Sequence, residues 1–216
     1  LAAAGMLLSA AAAAMSSAMP ARAQLASGYS GQSDAPRPGV PDDYWYLLRQ
    51  IGPCVAESKT EAARGFLAAA PGTADEKRAF DRLFGRKSNA CMRNFVSATF
   101  VRAHVRGAIA EGLYERATAA GAVPRPGADA DLDRAKIRTL HDFGRCYIAG
   151  NGGHATALLK DTQLGSREEA NAVMQLAAGF ESCFPVGRKV RIDATEVRMA
   201  LAEALYHSVN NPGSEG

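Results

Sequence analysis

Arg106-Gly107-Ala108-Ile109-Ala110-Glu111-Gly112-Leu113-Tyr114 returns 92 positions later as Arg198-Met199-Ala200-Leu201-Ala202-Glu203-Ala204-Leu205-Tyr206. Six of the nine positions are identical, too many for chance at one fixed offset. The same offset lays Cys54 on Cys146, Ala63 on Ala155, Leu67 on Leu159 and Cys91 on Cys183. One extra residue in the second half puts Gly72 opposite Gly165 and Glu76 opposite Glu169, an offset of 93. Self-similarity at a fixed offset marks a repeated structural unit. The chain therefore reads as a tandem duplication, with residues 42–120 and 131–208 as the two copies and 121–130, carrying Pro124 and Pro126, as the linker.

Each copy reads as four helices, so the expected fold is all-α with about eight helices. Alanine is abundant, β-branched residues are scarce, and no stretch alternates with the two-residue period of a strand. In the first copy Trp45, Leu48 and Ile51 recur about one turn apart within a helix from Asp42 to Val55. Ser58-Lys59-Thr60-Glu61 has capping-box form and predicts a short helix ending near Ala70, before Pro71-Gly72. Thr73-Ala74-Asp75-Glu76 predicts a third helix running toward Cys91, with Phe80, Leu83 and Phe84 inward. The fourth spans about Phe100 to Ala119. In the second copy Ser166-Arg167-Glu168-Glu169 and Asp193-Ala194-Thr195-Glu196 are the corresponding caps.

The N-terminal residues are a different kind of polymer. Leu1 to Ala14 is almost wholly apolar, and Ala21-Arg22-Ala23 offers small residues where a signal peptidase reads. Residues 1–23 are thus expected to be a signal peptide cleaved to leave Gln24, from a precursor starting upstream of Leu1. Gly-, Ser- and Pro-rich residues 24–41 read as a flexible leader, and 209–216 as a flexible tail. No apolar run in the body reaches the roughly 18 residues of a membrane span. The expected location is the periplasm or the medium.

An even cysteine count in an exported chain suggests disulfides. Four cysteines permit three pairings, which sequence alone does not separate. The repeat favours Cys54–Cys91 and Cys146–Cys183, each 37 residues apart. Each closed loop is worth roughly 4 kcal/mol in the chain-entropy model. A four-cysteine zinc site is the rival, although its ligands normally come as close CxxC pairs.

Little else points to chemistry. The net charge of +3 is spread along the chain, not clustered as a nucleic-acid binder requires. Asp142-Phe143-Gly144 matches a kinase magnesium motif without the other kinase elements, and reads as coincidence. Gly150-Asn151-Gly152-Gly153 follows a helix and not a strand, so it reads as a helix stop and turn. His104, His141, His154 and His207 have no counterparts at the repeat offset. Glu203 and His207 stand one turn apart, where a surface ion pair is the plainer reading than a metal site. No catalytic residue, cofactor site or metal site is predicted.

What does recur in polar form is Arg106/Arg198, Glu111/Glu203 and Tyr114/Tyr206. On a helical wheel of about 100° per residue, Val101, Val105, Ile109 and Leu113 span about 220° to 340° from Arg106, a core stripe. Glu111 stands about 140° from Arg106, too far round to share its partner. A pseudo-twofold axis between the two fourth helices would bring Arg106 toward Glu203 and Arg198 toward Glu111, with small residues at Ala108, Ala110, Gly112, Ala200, Ala202 and Ala204 permitting close approach. These six polar positions are the predicted inter-repeat seam. The competing reading makes them the lining of a ligand pocket.

At this block and at the Cys54 and Cys146 helices, the chain resembles an uncharacterised family of exported, all-helical bacterial proteins. Their sequences carry Cys-Val or a variant before a small-rich helix, and later Arg-Gly-Ala-Ile/Leu-Ala-Glu-Ala-Leu-Tyr. The resemblance covers about Tyr46 to Ser208, and Met199 departs from it where the family has a small residue. It implies export and an all-helical fold, and carries over no activity, cofactor or catalytic residue. The functional expectation is a non-catalytic binding or interaction module of the cell envelope, its partner an envelope protein or a small ligand. The alternatives are a small envelope hydrolase with a site between the repeats, or an apolar-ligand carrier. A histidine beside an acidic residue in a cleft would favour the hydrolase, a hollow between the bundles the carrier.

Overall fold

A computed structural model describes residues 42–85, 90–92, 100–125, 132–184 and 193–210. The predicted signal peptide, the leader, residues 126–130 of the linker and residues 211–216 of the tail lie outside these, while residues 209 and 210, expected in the tail, continue the last helix. The described residues form seven α-helices and no strands. These are α1 (Asp42–Ser58), α2 (Thr60–Ala68), α3 (Ala74–Phe84), α4 (Arg102–Ala119), α5 (Leu140–Asp161), α6 (Arg167–Leu176) and α7 (Ala194–Asn210). Short 3-10 turns lie at Ala90–Met92, Arg134–Lys136, Ala177–Gly179 and Glu181–Cys183.

The count is one below the expected eight because Gly150-Asn151-Gly152-Gly153 does not stop its helix. Only Asn151 leaves helical geometry (φ −133°, ψ 27°), and α5 continues through a kink. Lys59, 92 residues earlier, has nearly the same angles (φ −137°, ψ 39°) between α1 and α2. Ser58 does not cap α2. It lies within α1 and its hydroxyl donates to the Cys54 carbonyl, leaving Lys59 at the cap position with no side-chain capping bond.

The other caps act through their side chains. Thr73 Oγ1 accepts from Glu76 N at 3.2 Å and Ser166 Oγ from Glu169 N at 3.0 Å. The two glutamates reach one residue beyond the capping-box position, to the amides of Gly72 and Gly165. Both glycines have φ of 77°, the left-handed geometry that costs other residues energy. Asp193 Oδ1 accepts from the amides of Thr195 and Glu196 at the start of α7. Asp142 of the Asp-Phe-Gly match closes a full capping box with Thr139 at the start of α5.

The four long helices lie side by side in the order α1, α4, α7, α5. The inner two are buried all round: α4 from Ala103 to Ala110 and again from Gly112 to Tyr114, α7 from Val197 to Tyr206. A helix apolar or small on every face needs neighbours on more than one side. α2 packs on α4, α3 packs on α2, and α6 packs on α7. The crossings are close. A Cβ at Gly52 of α1 would stand 2.3 Å from the Ala108 carbonyl oxygen of α4, and one at Gly144 of α5 would stand 2.5 Å from that of Ala200 of α7. Met199 lies over Gly107 where α4 meets α7, so its bulk is accommodated by the glycine opposite.

Cys54 is bonded to Cys91 and Cys146 to Cys183, each with a Cα–Cα distance of 5.7 Å. No cysteine is free. Cys91 and Cys183 do not end helices of the bundle, since α3 stops at Phe84 and both cysteines sit in 3-10 turns. Disulfides of this kind persist in oxidising compartments. Among the described residues, no helix is long and apolar enough to cross a membrane. Intact mass should fall about 4 Da below the reduced mass, because two bridges remove four hydrogens. Peptide maps showing Cys54 linked to Cys146 would contradict the pairing.

Candidate functional site

The polar centre of the molecule lies where α4 crosses α7. Arg106 Nε stands 2.9 Å from both Glu203 oxygens and its Nη2 stands 2.5 Å from Oε1. On the opposite side, Arg198 donates to Glu111 from Nε (3.0 Å) and Nη2 (2.6 Å). Each arginine also closes a helix end. Arg106 donates to the carbonyls of Phe66 and Leu67 in the last turn of α2. Arg198 donates to those of Leu158 and Leu159, and to Thr162 Oγ1 and O, at the end of α5. The last carbonyls of a helix have no partner within it and carry partial negative charge, so a guanidinium satisfies both needs. Both arginines are 1% exposed. Charges so buried persist only when paired and fully hydrogen-bonded.

A third carboxylate completes each cluster, and sequence reasoning saw it only as a cap. Glu76 Oε1 lies 3.4 Å from Arg106 Nη1, while its Oε2 accepts from Gly72 N and from Arg102 Nη1. Glu169 Oε2 accepts from Gly165 N at 2.6 Å, but its Oε1 lies 3.8 Å from Arg198 Nε without a hydrogen bond. Ala194 stands where Arg102 would be needed to serve Glu169. Burial therefore pushes the Glu169 carboxyl up to about 7, against the pull of Arg198 and the Gly165 amide. A signal existed: both glutamates follow a Pro-Gly or Leu-Gly turn at the repeat offset.

The two sides of the crossing differ in what covers them. Over Glu203, His141 Nδ1 lies 3.4 Å and His207 Nε2 3.6 Å from Oε1, and the carboxylate is fully buried. Burial raises its pKa, but His141, His207 and Arg106 outweigh that and hold it well below the ordinary value. Glu203 and His207 are thus no surface pair. At the offset of 92, Arg49 takes the place of His141 and Glu115 that of His207. There the side chain of Glu111 keeps 14% exposure, and a cavity of about 260 Å³ opens beside Arg198. Leu48, Ala108, Gly112 and Leu159 supply apolar lining, and Arg49, Glu115 and Lys160 supply charged groups.

The other predicted positions lie apart from this cavity. Tyr114 and Tyr206 are buried, and the Tyr114 hydroxyl meets Thr156 Oγ1 at 2.9 Å. Tyr114 lines a second, wider cavity of about 520 Å³ with Ile148, Gly152 and Leu205. His104 is buried against Tyr44 and Trp45, and its Nδ1 lies 3.1 Å from the Tyr44 hydroxyl. Burial lowers the His104 pKa to about 4. His154 is exposed. Among the described residues, no group of three metal-binding side chains is placed to hold an ion. No protein family matches the chain, and neither a curated protein nor a solved structure does.

Glu169 makes the site sensitive to pH. Its folded pKa lies above the unfolded value, so the native state holds the proton more tightly and stability falls as pH rises from about 4.5 to about 7. Replacing it with Gln should remove that fall. The stability difference between wild type and Glu169→Gln is expected to change by on the order of 3 kcal/mol across the window. Parallel urea melts at pH 5 and pH 8 measure it, and an unchanged difference would refute the assignment.

Proposed function

We propose that the protein is an exported, non-catalytic binding module built by tandem duplication of a four-helix unit and working in the cell envelope or the medium. The duplication is supported by matched features at one offset: the backbone breaks at Lys59 and Asn151, the close crossings at Gly52 and Gly144, and the bridges Cys54–Cys91 and Cys146–Cys183. Export is supported by the two bridges together with the apolar segment before Ala23.

One observation carries the binding reading. The recurrent charged residues hold helices together, while a cavity beside Arg198 and Glu111 lies between the two halves. The hydrolase reading has His141 beside Glu203 in its favour, but Glu203 is buried under Arg106. The wider cavity lined by Ile148 and Leu205 favours an apolar-ligand carrier as the second reading.

Pull-down by the mature protein from envelope extract, with mass spectrometry of bound proteins and small molecules, tests both. Retention of a defined partner or ligand is expected. Turnover of ester, amide or glycosidic probes that is lost in His141→Ala would overturn the non-catalytic reading.

A further inference from the structure

At the cavity beside Arg198 and Glu111 two broadly matching clusters part company. On one side His141 and His207 lie over Glu203, whose side chain is fully buried. On the other, Arg49 and Glu115 occupy the equivalent positions, Glu111 keeps 14% exposure and a hollow adjoins it. Fold maintenance accounts for the shared features, since both sides pair an arginine with a glutamate and a helix end. It does not account for the hollow beside Glu111.

The polar groups around the hollow have capacity to spare. Arg198 spends its guanidinium on Glu111, two helix carbonyls and Thr162, so it is not a ligand's anion site. Glu111 accepts one bond on each oxygen from it and retains further lone pairs. Glu115 lies one turn further along α4 on the same face. Burial first, and then Glu111, push the Glu115 carboxyl above its ordinary value, which a cation between the two would relieve. Arg49, also lining the hollow, donates from Nη1 to the Leu164 carbonyl at 2.7 Å, which fixes the guanidinium and leaves other donors for a ligand. Lys160 adds an exposed ammonium. Leu48, Ala108 and Leu159 supply the hollow's apolar lining. The volume is below the usual drug-sized range and suits a molecule of few heavy atoms.

We propose that this cavity binds a small zwitterion, a molecule of amino-acid class whose ammonium meets Glu111 and Glu115, whose carboxylate meets Arg49 and Lys160, and whose short aliphatic body lies on Leu48 and Leu159. The proposal rests on the binding-module reading and names its ligand class.

Calorimetric titration of the full chain with four probes tests it: leucine, 4-aminobutyrate, putrescine and butyrate. At least one of the two zwitterions is expected to bind, with putrescine and butyrate at least tenfold weaker. Glu115→Gln and Arg49→Met should each weaken the zwitterion tenfold or more, and Arg49→Lys should recover part of the loss. Arg64→Met, which breaks an exposed pair with Glu61 away from the cavity, should bind as wild type does. Thermal melts establish that each variant is folded. Putrescine or butyrate binding as tightly as the zwitterions, zwitterion binding that survives both substitutions, or no binding by any probe would overturn the proposal. Failure of all four probes alongside retention of another molecule in the pull-down removes the zwitterion alone. Hydrolytic turnover removes the underlying reading as well.

Discussion

Glu203→Ala and Arg106→Ala should each melt roughly 6–20 °C below wild type, from a loss of about 3–5 kcal/mol on breaking a buried ion pair at about 2–4 °C per kcal/mol for a chain this size. Removing Glu203 leaves Arg106, 1% exposed, facing Glu76 and two carbonyls without its closest counter-charge. Removing Arg106 leaves a fully buried carboxylate with two histidines and strands the last carbonyls of α2. The double mutant should cost much less than the sum, with a coupling of about 0.5–3 kcal/mol, because the second deletion removes the group whose closest counter-charge the first took away. Glu111→Ala should cost less than Glu203→Ala, since Glu111 borders an open cavity and water can reach what it leaves behind. Arg198→Ala should resemble Arg106→Ala. If all four single mutants melt within a degree or two of wild type, the crossing is not held by these pairs.

Gly52→Ala and Gly144→Ala should destabilise the protein although alanine is the better helix former. Each substitution gains about 1 kcal/mol in helix propensity. Each also drives a methyl to within 2.3 or 2.5 Å of a backbone carbonyl oxygen on the neighbouring helix, which cannot swing aside as a side chain does. Overpacking costs about 1–3 kcal/mol and occasionally more, and a clash with backbone belongs at the top of that range. The net loss should be about 2 kcal/mol, or roughly 4–8 °C. Gly65→Ala is the control, because α2 is open there and nothing lies within 4 Å of the added methyl. It should melt at or above wild type. A Gly52→Ala protein as stable as Gly65→Ala would mean that α1 and α4 do not cross so closely.

The helical class was legible because caps, apolar spacing and the scarcity of strand formers agree along the chain, and such agreement is what specifies a fold. The charged seam was legible for a different reason. Arg106, Glu111, Arg198 and Glu203 recur at one offset, and helical geometry forbids partners within a single helix. The place of Glu76 and Glu169 beside the arginines was missed because a cap explained them, and a residue with one local role does not advertise a second. Ser58 misled because the capping pattern competes with bonding inside the preceding helix, where its hydroxyl meets the Cys54 carbonyl. The glycine cluster at Gly150 misled because it flanks a kink, and α5 continues beyond it.

By itself the sequence determined what depends on residues near one another along the chain: helices, most of their caps, the recurring block and the even cysteine count. Only the tertiary structure decided which cysteines pair, since three pairings satisfy the count and one brings the Cα atoms to 5.7 Å. It alone decided that Arg49 and Glu115 line a hollow while His141 and His207, their equivalents, lie over a fully buried Glu203. That difference depends on how side chains from α1, α4, α5 and α7 meet in space, and no periodicity along the chain encodes how tightly four helices pack.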